Sequence, residues 1–173
     1  MDDRANKVLI LGIGNDIQQD VGIPVMLTMD MKDLFPADRV DCESLFVGGL
    51  ELLEYLHGYQ GVIFIDTIKT DQKKAGRVHV FSVQDYQETL HLSCRHDVSF
   101  KMSLKIGQTL GFLIPENILI IGIEILEDLE FGAKLSKDLN LQYNDIRGEI
   151  IKLVESFCKN IEIRSADQNK EGL

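Results

Sequence analysis

With 173 residues, an apolar share of 45% and a formal charge of −10, the chain suits one globular domain, which buries roughly 70% of the surface its unfolded chain would expose. The excess of acid disfavours nucleic acid or an anionic membrane as the main partner, since both are polyanions. No apolar run reaches the ~20 residues that cross a bilayer, and Met1-Asp2-Asp3-Arg4 lacks the basic start of a signal peptide, so the cytoplasm is the expected location.

Lys7 to Ile13 is a nearly unbroken apolar run ending in Gly14-Asn15, which predicts a strand buried on both faces. After a loop from Asp16 to Val21, Gly22 to Phe35 reads as a helix with Met26, Met29 and Leu34 at helical spacing, Pro24 early in it and Pro36 at its end. Arg39 to Val47 is a second, less apolar strand. Leu50 to Leu56 is a short amphipathic helix closed by Gly58. Gly61 to Ile65 is a second strongly buried strand, ending on Asp66. Val78, Val80 and Phe81 in Arg77–Val83 suit an edge strand. Val98 to Phe112 reads as a helix on Met102, Ile106 and Leu110, with Asp97 as its N-cap. Asn117 to Ile123 is the third buried strand, and Tyr143 to Cys158 an amphipathic helix on Ile146, Ile150, Leu153 and Phe157. From Ile163 the chain is polar and reads as a frayed tail.

Strands alternating with helices imply a three-layer α/β/α sandwich: a mostly parallel, twisted sheet of about five strands with right-handed crossovers. No repeat or linker divides the chain, so residues 1–173 form a single domain. Cys42, Cys94 and Cys158 are too scattered for a zinc knuckle and odd in number, and read as buried or half-buried thiols.

Sites in open α/β sheets form outside the carboxyl ends of the strands. Three polar residues reach that edge: Asp20 after the first strand, Asp66 at the end of the Gly61–Ile65 strand, and His96 in the loop before the Val98 helix. Two carboxylates and an imidazole make an O,O,N set suited to nickel or zinc. Two of them also have an ordinary use: Asp66 as a cap or a partner of Lys69, His96 as a solvated side chain. Gly12-Ile13-Gly14 falls short of a dinucleotide fingerprint, because Ile17 occupies the third glycine position and no acid ends the second strand, so no nucleotide cofactor is expected. Cys94 and His96 are close in sequence, but that proximity makes no base–nucleophile pair.

In order along residues 7–155, five segments resemble the hydrogenase maturation proteases, which trim the C-terminal extension of a nickel-containing hydrogenase large subunit. They are Leu11-Gly12-Ile13-Gly14-Asn15 with Asp20-Val21-Gly22, Gly49-Leu50-Glu51-Leu52-Leu53, Val62-Ile63-Phe64-Ile65-Asp66-Thr67, Cys94-Arg95-His96-Asp97-Val98, and Gly122-Ile123-Glu124 followed by Gly132-Ala133-Lys134-Leu135-Ser136. The resemblance implies an endopeptidase, a hydrogenase large-subunit precursor as partner, and a divalent metal at the site, either the nickel of the substrate or another ion. In the family the ligands are the second acid of the opening pair, the strand-ending Asp and the loop His. The last two match Asp66 and His96. The first falls on Val21, which cannot ligate, while Asp20 matches the first acid. The implied ligand set is therefore Asp66, His96 and Asp20, or Asp16 in place of Asp20. The Asp-Gly-Gly turn usual after the second strand is replaced by Ser44-Leu45-Phe46. The resemblance also leaves room for a divergent, non-catalytic relative acting in docking or as a maturation chaperone.

Overall fold

The computed structural model describes residues 3–46, 49–86 and 99–171, with side chains from 4 to 161. Its elements are β1 (Val8–Ile13), α1 (Ile23–Met31), β2 (Val40–Leu45), α2 (Leu52–Leu56), β3 (Gly61–Ile68), β4 (Val78–Phe81), α3 (Phe100–Thr109), β5 (Asn117–Glu124) and α4 (Lys137–Glu171). The strands form one sheet in the order β2-β1-β3-β5-β4. Every pairing is parallel except β4 against β5. The expected α/β architecture and its edge strand are therefore present.

The two-residue alternation of the strands builds the layers. Val8 and Ile10 of β1, Ile63 and Ile65 of β3, and Ile121 and Ile123 of β5 join an apolar cluster with Ile23, Leu27 and Met31 of α1 and Leu139, Ile146, Ile150 and Val154 of α4. Their alternates, Leu9, Leu11, Ile13, Val62, Phe64 and Ile120, pack on the other face against Leu52 and Leu56 of α2 and Phe100 and Leu104 of α3. β1 and β3 are buried at every position, which accounts for their unbroken apolar runs.

Several expectations change. In α1 the large side chains packed in the core include Ile23, Leu27 and Met31, whereas Met26 and Met29, and Leu34 beyond the helix, are exposed. Seven of its nine residues are apolar (Ile-Pro-Val-Met-Leu-Thr-Met-Asp-Met, counting proline), so several stripes fit and only the neighbours choose among them. In α3 likewise, Phe100 and Leu104 face the core while Met102 and Leu110 are exposed. Its N-cap is Ser99, whose Oγ accepts the Met102 amide at 3.3 Å; Asp97 lies outside the described residues. α4 begins six residues before Tyr143, behind Ser136, whose Oγ accepts the Leu139 amide at 3.4 Å. It also continues to Glu171, through the segment expected to fray. β3 runs two residues past Asp66, because β5 pairs with it from Gly61↔Asn117 through Ile68↔Glu124.

The Gly12-Ile13-Gly14 signature has a packing explanation. A Cβ on Gly12 would strike Thr28 Oγ1 and come within 2.6 Å of the Pro24 carbonyl oxygen, so glycine is what lets α1 lie against β1. A Cβ on Gly14 would strike the Val21 carbonyl oxygen. Gly12→Ala is expected to cost about 1–3 kcal/mol of stability, because the obstacle is partly backbone and cannot rotate away. Urea unfolding of wild type and variant measures it, and an unchanged midpoint would contradict the packing account.

Candidate functional site at the carboxyl edge of the sheet

The order β2-β1-β3 places the topological switch point between β1 and β3, where the chain turns first to one side and then to the other. The loop leaving β1 and the end of β3 therefore meet at the carboxyl edge. Asp20 opens a 3-10 turn, Asp20–Gly22, that leads into α1. It is 5% exposed, and its Oδ1 accepts the backbone amide of Ser136 at 2.7 Å. That bond satisfies an amide at the start of α4, where the helix dipole also favours negative charge. Asp66 is fully buried, and its Oδ1 accepts the Thr67 amide at 2.7 Å. Thr67 is also fully buried, and its hydroxyl has no hydrogen-bond partner among the described residues. Lys69 does not serve Asp66; its Nζ lies 2.8 Å from Asp128.

Val21, at the first-ligand position of the sequence resemblance, is 1% exposed and belongs to the apolar cluster under α1 and α4. By strand alternation Asp66 shares the opposite face with Val62 and Phe64. Val21 and Asp66 thus belong to opposite faces of the sheet. Asp16 is exposed. His96 lies outside the described residues. Among the described residues no three Asp, Glu, His or Cys side chains stand close enough to hold a metal ion. Asp20 and Asp66 supply carboxylate oxygens, a donor type that fits a divalent ion.

A second buried carboxylate centre escaped the sequence reading. Glu124, at the end of β5, is fully buried. Its Oε1 accepts the Thr70 hydroxyl at 2.6 Å and the Lys74 amide at 2.8 Å, and its Oε2 lies 3.0 Å from Nε2 of His79 on β4. Burial works to raise its pKa, but the hydrogen bonds from Thr70, Lys74 and His79 outweigh it and hold the carboxyl below the ordinary Glu range. These partners tie the loop between β3 and β4 to the sheet. The sequence marked Glu124 only as the end of an apolar strand and part of the Gly122-Ile123-Glu124 segment, and nothing local marked His79 as its neighbour.

Two cavities, of about 530 and 410 Å³, open near the amino ends of the strands, around Arg39 and Gln60 and around Tyr59 and Asn117. They lie at the edge opposite Asp20 and Asp66. Cys42 and Cys158 are half-buried thiols, and burial followed by the charge of Asp41 pushes Cys42 up to about 11, so it is not a ready nucleophile. Cys94 lies outside the described residues. No helix of the described residues is long and apolar enough to cross a membrane.

No protein-family model and no curated protein matches the chain. Solved structures do. The hydrogenase maturating endopeptidase HybD from E. coli superposes with a TM-score of 0.66 at 19% identity, over 87% of this chain and 93% of that one. The chain has the fold of the hydrogenase maturation endopeptidases. The [NiFe] hydrogenase maturation protease HycI from Thermococcus kodakarensis gives a TM-score of 0.64 at 15% identity, over 89% and 93% of the two chains. HybD from Thermococcus kodakarensis gives 0.59 at 23% identity, over 85% and 98%. The maturation-endopeptidase fold thus agrees with the resemblance read from the sequence, over nearly the whole of each chain.

Glu124→Gln is expected to destabilise this fold by about 1.5–3 kcal/mol at neutral pH, the range for charge-assisted hydrogen bonds. A carboxyl held below its ordinary range contributes fully above that range and loses its contribution as pH falls through the folded value. The gap between wild type and variant in denaturant unfolding should therefore narrow as the solution is acidified below the Glu range. A gap that widens on acidification would contradict this account.

Proposed function

We propose that the protein is an endopeptidase that removes the C-terminal extension of a nickel-containing hydrogenase large subunit, recognising the metal-loaded precursor in the cytoplasm. The observation that carries this reading is the placement of two buried carboxylates, Asp20 and Asp66, at the switch point of a maturation-endopeptidase fold. Asp66 and His96 are the proposed ligands from the enzyme, and Asp20 is the third. The metal of the precursor would fix the scissile bond and polarise its carbonyl. The chain's own residues bind and orient: Asp66 is held by the Thr67 amide, and Asp20 by the Ser136 amide at the start of α4.

The burial of Val21 in the α1/α4 core favours a second reading, a relative that docks on the precursor without cutting it. The two are separated by measurement. On the endopeptidase reading, Asp66→Ala and His96→Ala stop tail removal from a purified precursor while circular dichroism stays native, and calorimetric titration with Ni²⁺ or Zn²⁺ gives saturable binding. Unchanged processing by both variants would overturn the ligand assignment. Processing absent in wild type, with no metal uptake, selects the docking reading.

Asp20 allows a finer test. Asp20→Asn keeps an oxygen for the Ser136 amide and is expected to leave stability within about 1 kcal/mol, whereas Asp20→Ala strands that amide at about 1–3 kcal/mol. If Asp20 is the third ligand, Asn also weakens metal binding. Equal metal affinity in wild type and Asp20→Asn would assign Asp20 to the scaffold alone.

A further inference from the structure

The loop leaving β1 and the loop between β5 and α4 are zipped together at the carboxyl edge. Gln18 and Phe131 form an antiparallel bridge. The Gln19 amide donates to the Glu130 carbonyl at 3.1 Å, and the Gly132 amide to the Ile17 carbonyl at 3.0 Å. The Gln18 side chain donates to the Asp128 carbonyl at 3.2 Å, and Asp20 anchors the same pair of loops through Ser136. The result is a short ribbon with a pinned backbone.

Its side chains do not fold inward. Leu129 and Phe131, at 75% and 74% exposure, are the two most exposed large apolar side chains among the described residues, and Ile17 stands at 60%. A flexible loop could tuck such groups away, but this ribbon is held by its own hydrogen bonds. Apolar side chains kept in water on a fixed backbone mark a surface that another molecule covers. Exposed acids, Asp16, Glu127 and Glu130, are interleaved with them, while Asp128 is paired with Lys69. Lys134 and Lys137 follow further along, toward α4.

We infer that this ribbon docks a basic, apolar segment of a partner protein. Charge selects that occupant. A second copy of the chain would bring the same acids face to face, and an anionic membrane would be repelled by them and by the net charge of −10. A segment with lysine or arginine between apolar side chains satisfies both components at once, with charge setting orientation and apolar burial supplying affinity. The inference goes beyond tail cleavage and does not require it.

The test measures fluorescence anisotropy of a short labelled Gly-Ser peptide carrying leucines and arginines, titrated with the full chain, beside a counterpart with glutamate for arginine. The arginine peptide binds and the glutamate peptide does not. Leu129→Ser with Phe131→Ser, and separately Asp16→Lys with Glu130→Lys, each weaken binding by about tenfold or more. Glu149→Lys with Glu155→Lys on α4 makes the same change in net charge away from the ribbon and leaves binding unchanged. All these positions are exposed, and thermal unfolding confirms that each variant is folded. No binding by wild type, equal binding of the two peptides, or equal loss from the α4 pair overturns the proposal. A concentration-dependent dimer in sedimentation that the Leu129/Phe131 variant abolishes also overturns it, in favour of self-association. Because no cleavage is read, loss of tail processing in another assay does not bear on this result.

Discussion

The close passage of α1 and its leading turn over the end of β1 is the contact on which the carboxyl edge of the sheet depends. Gly12 gives the helix backbone room against the strand, and Gly14 gives the Val21 carbonyl the space a side chain would fill. Pressing the 3-10 turn against the strand end places its consecutive residues in different environments. Val21 goes down into the α1/α4 core, while Asp20 reaches the Ser136 amide just ahead of α4. A glycine pair that looks like half of a nucleotide loop is thus a packing device. It decides which side chain of the turn is offered to the edge.

The layer order and the strands were legible because they rest on strong periodic signals. β1, β3 and β5 are apolar runs bounded by glycine or polar residues, and burial on both faces, complete in β1 and β3 and from Ile120 onward in β5, is what such runs encode. The helix faces were less legible. In α1 every plausible stripe is apolar, so the choice of Leu27 over Met26 is made by β1 and β3 across the interface. In α3 the small residues Ser103 and Gly107 lie on the buried side, where α2 approaches closely enough that a Cβ on Gly107 would come within 2.6 Å of Leu53. A reading that counts only large apolar residues passes over that face. α4 hid its start because its first turns are polar, with buried Leu139 as the one large apolar anchor.

The candidate site was legible in its placement and not in its geometry. That Asp20 and Asp66 lie at one edge follows from strand order, which the alternation of elements implies. That Val21 and Asp66 belong to opposite faces depends on the rotation of a three-residue turn, which no residue pattern specifies. The three buried acids also differ in kind. Asp20 and Asp66 each accept a backbone amide, from Ser136 and from Thr67. Glu124 gathers donors from Thr70, Lys74 and His79, and is spent on holding a loop. Pairing across strands brings those partners together from positions that are distant in the chain.

The position of β4 bears on how the chain reaches this structure. β4 is made before β5 and pairs only with β5, which inserts between it and β3. When residues 78–81 leave the ribosome they have no ladder to join, and β3 has an open edge along Gly61–Ile68 on that side. Both wait for residues 117–124. Until then the margin of β3, apolar from Gly61 to Ile65, lacks its partner, the kind of edge that recruits foreign strands. Arrival of β5 closes that margin and docks β4 in the same step, so the last strand of the sheet to be synthesised completes two pairings at once.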